Sequence, residues 1–242
     1  MDLNGIWDLA REHEAGEQRR GFVAEKKVAV PSSYNDLYAE EGFRMWFDGM
    51  WYSRTFVVPR MLAKERLVLR FGSASYRAEV YVNGTRVGSH ASGYTPFEFD
   101  ITAAVDLDGE NLLCVRLENV LSAETVPMGR LNNKPENGQF AGQYPDVPFD
   151  FFPYAGIQRN VCIYTTSPLG WLTSTRVETN ILDGGKGGVN LECAVAGDGA
   201  ATARFRCAET GCEVQAPVVA GRVTADLTID DVKLWGVYDP NL

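Results

Sequence analysis

Positive charge is scarce in this 242-residue sequence, in which 23 lysine and arginine residues face 32 aspartate and glutamate residues, for a net charge of −9. Nucleic acids and anionic membranes attract basic faces, so this balance argues against both as partners. No apolar run approaches the roughly 20 residues that span a bilayer. The opening Met1-Asp2-Leu3 lacks the basic and then apolar pattern of a secretory leader. We therefore expect a soluble, cytoplasmic protein.

Metal-binding residues are few and scattered. The two histidines, His13 and His90, are too isolated to form a metal site or a catalytic triad, and the five cysteines lack metal-ligand spacing. We expect neither a metal nor a cofactor. Cys207 and Cys212 flank Ala-Glu-Thr-Gly, which has the length of a hairpin loop. They could close a disulfide if oxidised, or remain two reduced thiols at a hairpin end, as is usual in the cytoplasm.

Helix patterns are also nearly missing, whereas strand patterns recur along the chain. Asn83-Gly84 joins two alternating runs and is the dipeptide best suited to a tight hairpin turn. Alternating or β-branched runs predict strands at 51–58, 66–71, 78–82, 85–90, 97–101, 112–118 and 161–166. Many short strands with turn signals between them predict a jelly-roll β-sandwich over residues 1–168.

Glycine-rich turns separate shorter strand patterns after Ser167-Pro168. Strands are predicted at 171–180, 189–196, 201–207, 212–215 and 222–229. This number of strands predicts a small immunoglobulin-like sandwich over residues 169–242. The apolar pattern near Leu234-Trp235 stops abruptly after Asp239-Pro240-Asn241, so we expect the native polypeptide to continue.

A long polar segment, Asn119–Pro148, interrupts the strand rhythm and leads into Asp150–Arg159. Loops of this length in compact domains tend to be binding loops or disordered. The sequence Asp-Phe-Phe-Pro-Tyr-Ala-Gly-Ile-Gln-Arg at 150–159 suits neither helix nor plain strand, because Pro153 lacks a ladder donor and Gly156 favours a bend. We interpret it as a shaped loop that presents the carboxylate of Asp150.

Six motifs resemble, in order and spacing, the N-terminal part of β-glucuronidases of glycoside hydrolase family two. They are Leu3–Trp7, Val30–Asp36, Trp51–Arg54, Val82–Gly84, Gly93–Thr102 and Asp150–Arg159. The resemblance implies a jelly-roll sugar-binding domain, an immunoglobulin-like domain and a third, catalytic (β/α)8 barrel that this sequence does not include. It implies a β-glucuronide or related β-glycoside as substrate, the barrel domain of the same polypeptide as partner, and a homo-oligomer at full length.

The resemblance also assigns roles to residues. The two catalytic glutamates of this retaining family lie on the barrel, so no catalytic residue is expected here. Asp150 is expected to lean over the barrel mouth and accept a hydrogen bond from a sugar hydroxyl, as an ionised carboxylate readily does. The other roles follow from the residues themselves rather than from the resemblance. Phe151 is the ring most suited to touch the sugar, and Phe152, Tyr154 and Arg159 are expected to hold the loop in place.

Simpler interpretations exist for several of these residues. Aspartate favours turns, so Asp150 could cap one, and rings beside a proline often serve packing alone. Glu98 and Asp100 resemble an acid–base pair, but they share one face of one strand and are expected to be structural.

Two alternatives to a β-glucuronidase fragment remain open. Pro153 replaces the asparagine of many β-glucuronidases, which leaves a β-galactosidase or β-galacturonidase of the same family open. A stand-alone carbohydrate-binding module with a spacer is the alternative without catalysis.

Overall fold

A computed structural model of the chain describes residues 1–12, 17–38, 42–126, 128–129, 131–132, 144–145, 152–197, 199, 201–230 and 232–241. Asp150 and Phe151 lie outside these described residues, as does most of the polar segment that precedes them. The chain divides into two compact units, Met1–Thr165 and Thr166–Leu242. Across the described ranges, no helix has the length and hydropathy needed to cross a bilayer.

The first unit is built almost entirely of strands. They are β1 (Gly5–Arg11), β2 (Lys26–Val30), β3 (Gly49–Val57), β4 (Arg66–Phe71), β5 (Arg77–Val82), β6 (Thr85–His90), β7 (Phe97–Asp100), β8 (Glu110–Glu118), β9 (Leu131–Asn132), β10 (Tyr144–Pro145) and β11 (Val161–Thr166). Short helical turns occur at α1 (Tyr34–Leu37), Glu17–Arg20 and Arg60–Leu62.

Two sheets of the first unit face each other across one core. The larger has six strands in the order β2-β1-β3-β8-β5-β6, and the smaller has three in the order β11-β4-β7. Alternate residues of each strand enter the core, as the period of a pleated sheet requires. Tyr52 and Val115 from the large sheet and Leu69 and Ile163 from the small one belong to the same buried cluster. This is a β-sandwich of the predicted jelly-roll type.

The opposite face of the six-stranded sheet carries a second, smaller apolar cluster. Trp51, Tyr81 and Cys114 alternate with core residues along β3, β5 and β8, and they pack with Phe22 and Leu112. Burial raises the pKa of the Cys114 thiol to about 11, so this cysteine is an inert packing residue at neutral pH.

The second unit is a smaller sandwich. Its strands are β12 (Trp171–Leu182), β13 (Lys186–Ala196), β14 (Thr202–Arg206), β15 (Glu213–Pro217) and β16 (Arg222–Ile229). The antiparallel sheet β12-β13-β16 packs against the β14-β15 hairpin through Cys193, Val223 and Ala216, with Phe205 and Val214 partly buried beside them. The architecture agrees with the predicted immunoglobulin-like sandwich.

Most predicted strands are present, and the all-β prediction is confirmed. The Asn83-Gly84 hairpin is present, and both turn residues have positive φ angles, 52° and 79°. The sequence patterns did not predict β1, β2 or the short β9–β10 pair. Cys207 and Cys212 are both free thiols at the end of the β14–β15 hairpin, where the Cys207 N–H donates to the Cys212 carbonyl.

An ion pair lies on the outer side of the six-stranded sheet. Arg116 Nε and Nη2 donate to the two carboxylate oxygens of Glu12 at 2.7 and 2.6 Å. Trp51 Nε1 donates to the same carboxylate at 3.2 Å. The hydrogen bond from Arg116 lowers the pKa of Glu12, against the opposing effect of burial.

We expect Glu12 to stabilise the fold at neutral pH and to lose this effect in acid. Because the folded pKa lies below the unfolded value near 4.5, the contribution is complete above that value and is lost as pH falls through it towards the folded pKa. Urea denaturation of the wild type and Glu12→Gln from about pH 7 down to about pH 3 measures it. The difference in unfolding free energy should shrink as pH falls, and a constant difference would contradict this assignment.

Candidate functional site

The described part of the predicted site is the segment Phe152–Arg159, which continues through Asn160 into β11. Three predicted residues, Phe152, Tyr154 and Arg159, belong to it, whereas Asp150 and Phe151 are outside the described residues. The segment makes no regular strand apart from one isolated bridge between Ser75 and Gly156. Its conformation therefore depends on contacts with the loops around it.

Phe152 and Tyr154 form an aromatic cluster with a neighbouring loop, Phe43–Phe47. The Phe152 ring centroid lies 4.8 Å from that of Tyr154 and 6.0 Å from that of Phe47. The guanidinium of Arg44 lies 4.4 Å from the Phe152 ring centroid and 5.6 Å from that of Tyr154. The rings are tilted relative to one another, and together with the guanidinium over them they fix the start of the described segment.

Asn35, which is completely buried, ties the same two stretches of chain together. Its Nδ2 donates to the carbonyl oxygens of Phe43 at 3.2 Å and Arg44 at 2.9 Å. Its Oδ1 accepts the N–H of Ala155 at 2.8 Å. One amide side chain thus hydrogen-bonds three backbone groups: two carbonyls of the Phe43–Phe47 loop and one N–H of the segment after Asp150.

Gly156 is where the segment approaches a second loop most closely. Its φ of +132° is a conformation that residues with a Cβ rarely adopt. A Cβ at this position would lie 2.6 Å from the carbonyl oxygen of Ser32 and 3.2 Å from the Tyr52 hydroxyl. Backbone hydrogen bonds flank the bend: Ser75 N–H donates to Gly156 at 3.0 Å, and Ser32 N–H donates to Ile157 at 2.9 Å.

The far end of the segment is held through the side chains of Gln158 and Arg159, which reach the loop before β5 and the loop before β7. Gln158 Nε2 donates to the Tyr154 carbonyl at 2.9 Å, and its Oε1 lies 3.2 Å from Ser75 Oγ. Arg159 is exposed, and its Nη1 donates to the Tyr94 carbonyl at 3.4 Å. The start of the segment therefore contacts the Phe43–Phe47 loop, and its far end contacts the loops before β5 and β7.

Three buried tyrosines, Tyr34, Tyr52 and Tyr76, lie in the core near these loops. Burial raises the pKa of all three hydroxyls well above the ordinary value. Tyr34 donates to the Trp46 carbonyl at 2.9 Å and accepts from Asn119 Nδ2 at 3.3 Å. These phenols are neutral near pH 7 and cannot serve there as anionic bases or nucleophiles.

Glu98 and Asp100 are engaged in structural contacts on β7. Glu98 accepts from the Tyr164 hydroxyl at 2.7 Å and pairs with Arg70, and Asp100 pairs with Arg66 at 2.8 Å.

Across the part of the chain that the structure describes, no group of histidine, cysteine and carboxylate side chains could hold a metal ion.

Among the described residues, the side chains in and around the segment supply aromatic rings, amides and the guanidinium groups of Arg44 and Arg159, which suit binding and positioning. Sequence reasoning missed Arg44, Asn35 and Phe47. The available signal for Arg44 and Phe47 was an arginine among aromatic residues in Phe43–Asp48, a stretch that is too irregular for a strand pattern.

Comparison with known proteins adds independent information. The model of the family described as glycosyl hydrolases family 2, sugar binding domain, matches residues 1–167. The chain is 35% identical to a Paenibacillus borealis β-glucuronidase over 79% of its own length and 33% of that protein. It is 30% identical to the Homo sapiens β-glucuronidase over 98% of its own length and 39% of that protein.

Solved structures show the same relationship. A Bifidobacterium dentium β-glucuronidase complexed with coumarin-3-O-glucuronide matches with a TM-score of 0.81 and 31% identity, over 97% of this chain and 42% of that one. A Ruminococcus gnavus β-glucuronidase in complex with D-glucuronic acid matches with a TM-score of 0.81 and 27% identity, over 99% of this chain and 41% of that one. The chain thus spans roughly a third of the length of the curated relatives it matches.

Proposed function

Because this chain belongs to the family of the glycosyl hydrolase family 2 sugar-binding domain, we propose that it is the sugar-binding and scaffold part of a longer β-glucuronidase-type glycoside hydrolase. The observation that carries this proposal is the likeness, over 97% of the chain, to a β-glucuronidase whose solved structure is a complex with coumarin-3-O-glucuronide. The proposed substrate class is accordingly the β-glucuronides.

In this proposal the chemistry takes place on a barrel encoded outside these 242 residues. A retaining mechanism needs two carboxyl groups about 5 Å apart, one as nucleophile and one to protonate the leaving oxygen. The present chain supplies neither, and its contribution is to hold Asp150 against the sugar. The contacts of Phe152, Tyr154, Ala155 and Gly156 support that role, because they anchor the chain two to six residues after Asp150.

Asp150 suits a binding role by its chemistry. An ionised carboxylate only accepts hydrogen bonds, and sugar hydroxyls are donors, so the two are complementary. Such a charge-assisted hydrogen bond contributes roughly 1.5 to 3 kcal/mol. In the proposed site, Phe151 lies beside the sugar, and Phe152, Tyr154 and Arg159 hold the loop. We also propose that the full-length polypeptide is a cytoplasmic homo-oligomer.

The isolated 242-residue chain tests the proposal that catalysis takes place on the barrel and that this chain supplies only part of the sugar site. We expect it to show no turnover of a chromogenic β-glucuronide, and calorimetric titration with glucuronic acid to give a Kd weaker than about 1 mM, because half a site lacks most of its contacts. Micromolar binding by the isolated chain would support a stand-alone carbohydrate-binding module instead. Turnover by the isolated chain, abolished in Asp150→Ala, would show that catalytic groups had been missed.

A further inference from the structure

Arg44 lies between the α1 region and the segment that follows Asp150. Its Nη1 is 3.5 Å from Asp36 Oδ1, and its Nη2 is 3.5 Å from the Tyr154 hydroxyl. The guanidinium carbon lies over the Phe152 ring at 4.4 Å from the centroid. Arg44 therefore connects two stretches of chain that are 110 residues apart in sequence.

The ring contacts are the stronger of these interactions. Asp36 is 70% exposed, and an ion pair with an exposed carboxylate contributes little. Arg44 itself is 34% exposed and faces two aromatic rings, where a planar guanidinium stacks well and is only weakly hydrated. Lysine cannot reproduce this geometry, since its ammonium is a compact point charge.

The backbone of Arg44 takes part in the same junction. Its carbonyl accepts from Asn35 Nδ2 at 2.9 Å, while Asn35 Oδ1 accepts from the Ala155 N–H at 2.8 Å. The Tyr154 N–H donates to the Phe152 carbonyl at 2.8 Å, which tightens the turn between the two rings. Both the side chain and the main chain of Arg44 thus restrain residues 152–155.

We propose that Arg44 is a positioning residue for the sugar contact, acting through Phe152 and Tyr154 on the segment that carries Asp150. This inference rests on the proposed function and adds to it a residue from a different part of the chain. Stacking of Arg44 limits the conformations of Phe152, which comes two residues after Asp150 in the sequence.

Three variants separate stacking from charge. Arg44→Met keeps an unbranched apolar side chain but loses the guanidinium, and Arg44→Lys keeps the positive charge but loses the planar stack. Arg70→Met is the matched control, because Arg70 is 42% exposed and pairs with Glu98 on the adjacent strand of the three-stranded sheet. Melting temperatures of all three should stay within roughly 4 °C of the wild type, as expected for a loss of about 1 kcal/mol.

Amide hydrogen exchange of the 242-residue chain reports the restraint without any activity. In Arg44→Met we expect the Tyr154 and Ala155 amides to exchange at least about tenfold faster, because local opening becomes easier. The exchange rates of these two amides in Arg44→Lys should lie between those of Arg44→Met and the wild type. Arg70→Met should leave both exchange rates unchanged. Unchanged exchange in Arg44→Met would overturn the restraint.

A double-mutant cycle in the full-length polypeptide reports the link to Asp150. We expect Arg44→Met to lower kcat/KM for a β-glucuronide about fivefold when Asp150 is present. In the Asp150→Ala background the same substitution should lower kcat/KM less than about twofold, because the effects of two residues that act through one another are not additive. Arg44→Lys should recover part of the loss.

Two outcomes would overturn the inference: an equal fold loss in both backgrounds, or no loss from Arg44→Met. In either case Asp150→Ala alone would still be impaired, so the proposed function would stand. If Asp150→Ala alone kept full activity, the proposed role of Asp150 would fail, and with it the inference that Arg44 acts through Asp150.

Discussion

Asp150→Ala should lower kcat/KM of the full-length polypeptide for a β-glucuronide at least about tenfold while shifting the melting temperature by less than about 3 °C. The size follows from the proposed bond, since a charge-assisted hydrogen bond of roughly 1.5 to 3 kcal/mol corresponds to about ten- to 150-fold in rate. Stability should change little because the proposed partner of this carboxylate is the sugar rather than the protein.

Two further variants show whether the loss of activity is specific to the carboxylate of Asp150. Asp150→Asn keeps an acceptor oxygen but not the charge, so its loss should be smaller than that of Asp150→Ala. Asp108→Ala removes an exposed carboxylate that pairs with Arg60 at 2.7 Å and should leave kcat/KM unchanged. An Asp150→Ala enzyme as active as the Asp108→Ala control would remove Asp150 from the sugar site.

Gly156→Ala should lower the free energy of unfolding by about 3 to 5 kcal/mol. Two penalties combine: a φ of +132° is strained for alanine, and the new Cβ would lie 2.6 Å from the carbonyl of Ser32. The Ser32 backbone cannot move away freely, because its N–H is bonded to Ile157 across the same junction. Denaturant unfolding measures the loss.

Gly42→Ala is the matched control for this effect. Gly42 also has a positive φ, +77°, but a Cβ there would meet nothing within 4 Å. Its cost should stay near 1 kcal/mol, which is the strain alone. Equal losses in the two variants would mean that the close approach to Ser32 adds nothing.

The sequence was a good guide wherever local pattern decides structure. Alternation and β-branching predicted β4, β5 and β6, and Asn83-Gly84 predicted the hairpin between the last two, because positive φ at consecutive positions is a local requirement. By contrast, β1 was not predicted. It lies between β2 and β3 in the sheet, so pairing on both sides makes up for its mixed composition.

The site was predictable only in part, for a related reason. The composition of Asp150–Arg159 marks it as a shaped loop, but the residues that shape it come from far away in the sequence. Asn35 is 120 residues from Ala155, and Arg44 is 110 residues from Tyr154. Such contacts depend on how the two sheets bring their connecting loops together, which no local pattern specifies. The same limit applied to Glu12 and Arg116, which are 104 residues apart.

The most direct test of the central claim is the hydrolysis of three chromogenic substrates by the full-length polypeptide: a β-glucuronide, a β-galacturonide and a β-galactoside. We predict a kcat/KM for the β-glucuronide at least about 100-fold above the other two. The β-galactoside lacks the uronate carboxylate and the β-galacturonide has its 4-hydroxyl in the opposite configuration, so each leaves a polar group of the site without its partner. Preference for the β-galactoside or for the β-galacturonide, or no turnover of any of the three, would contradict the proposed function.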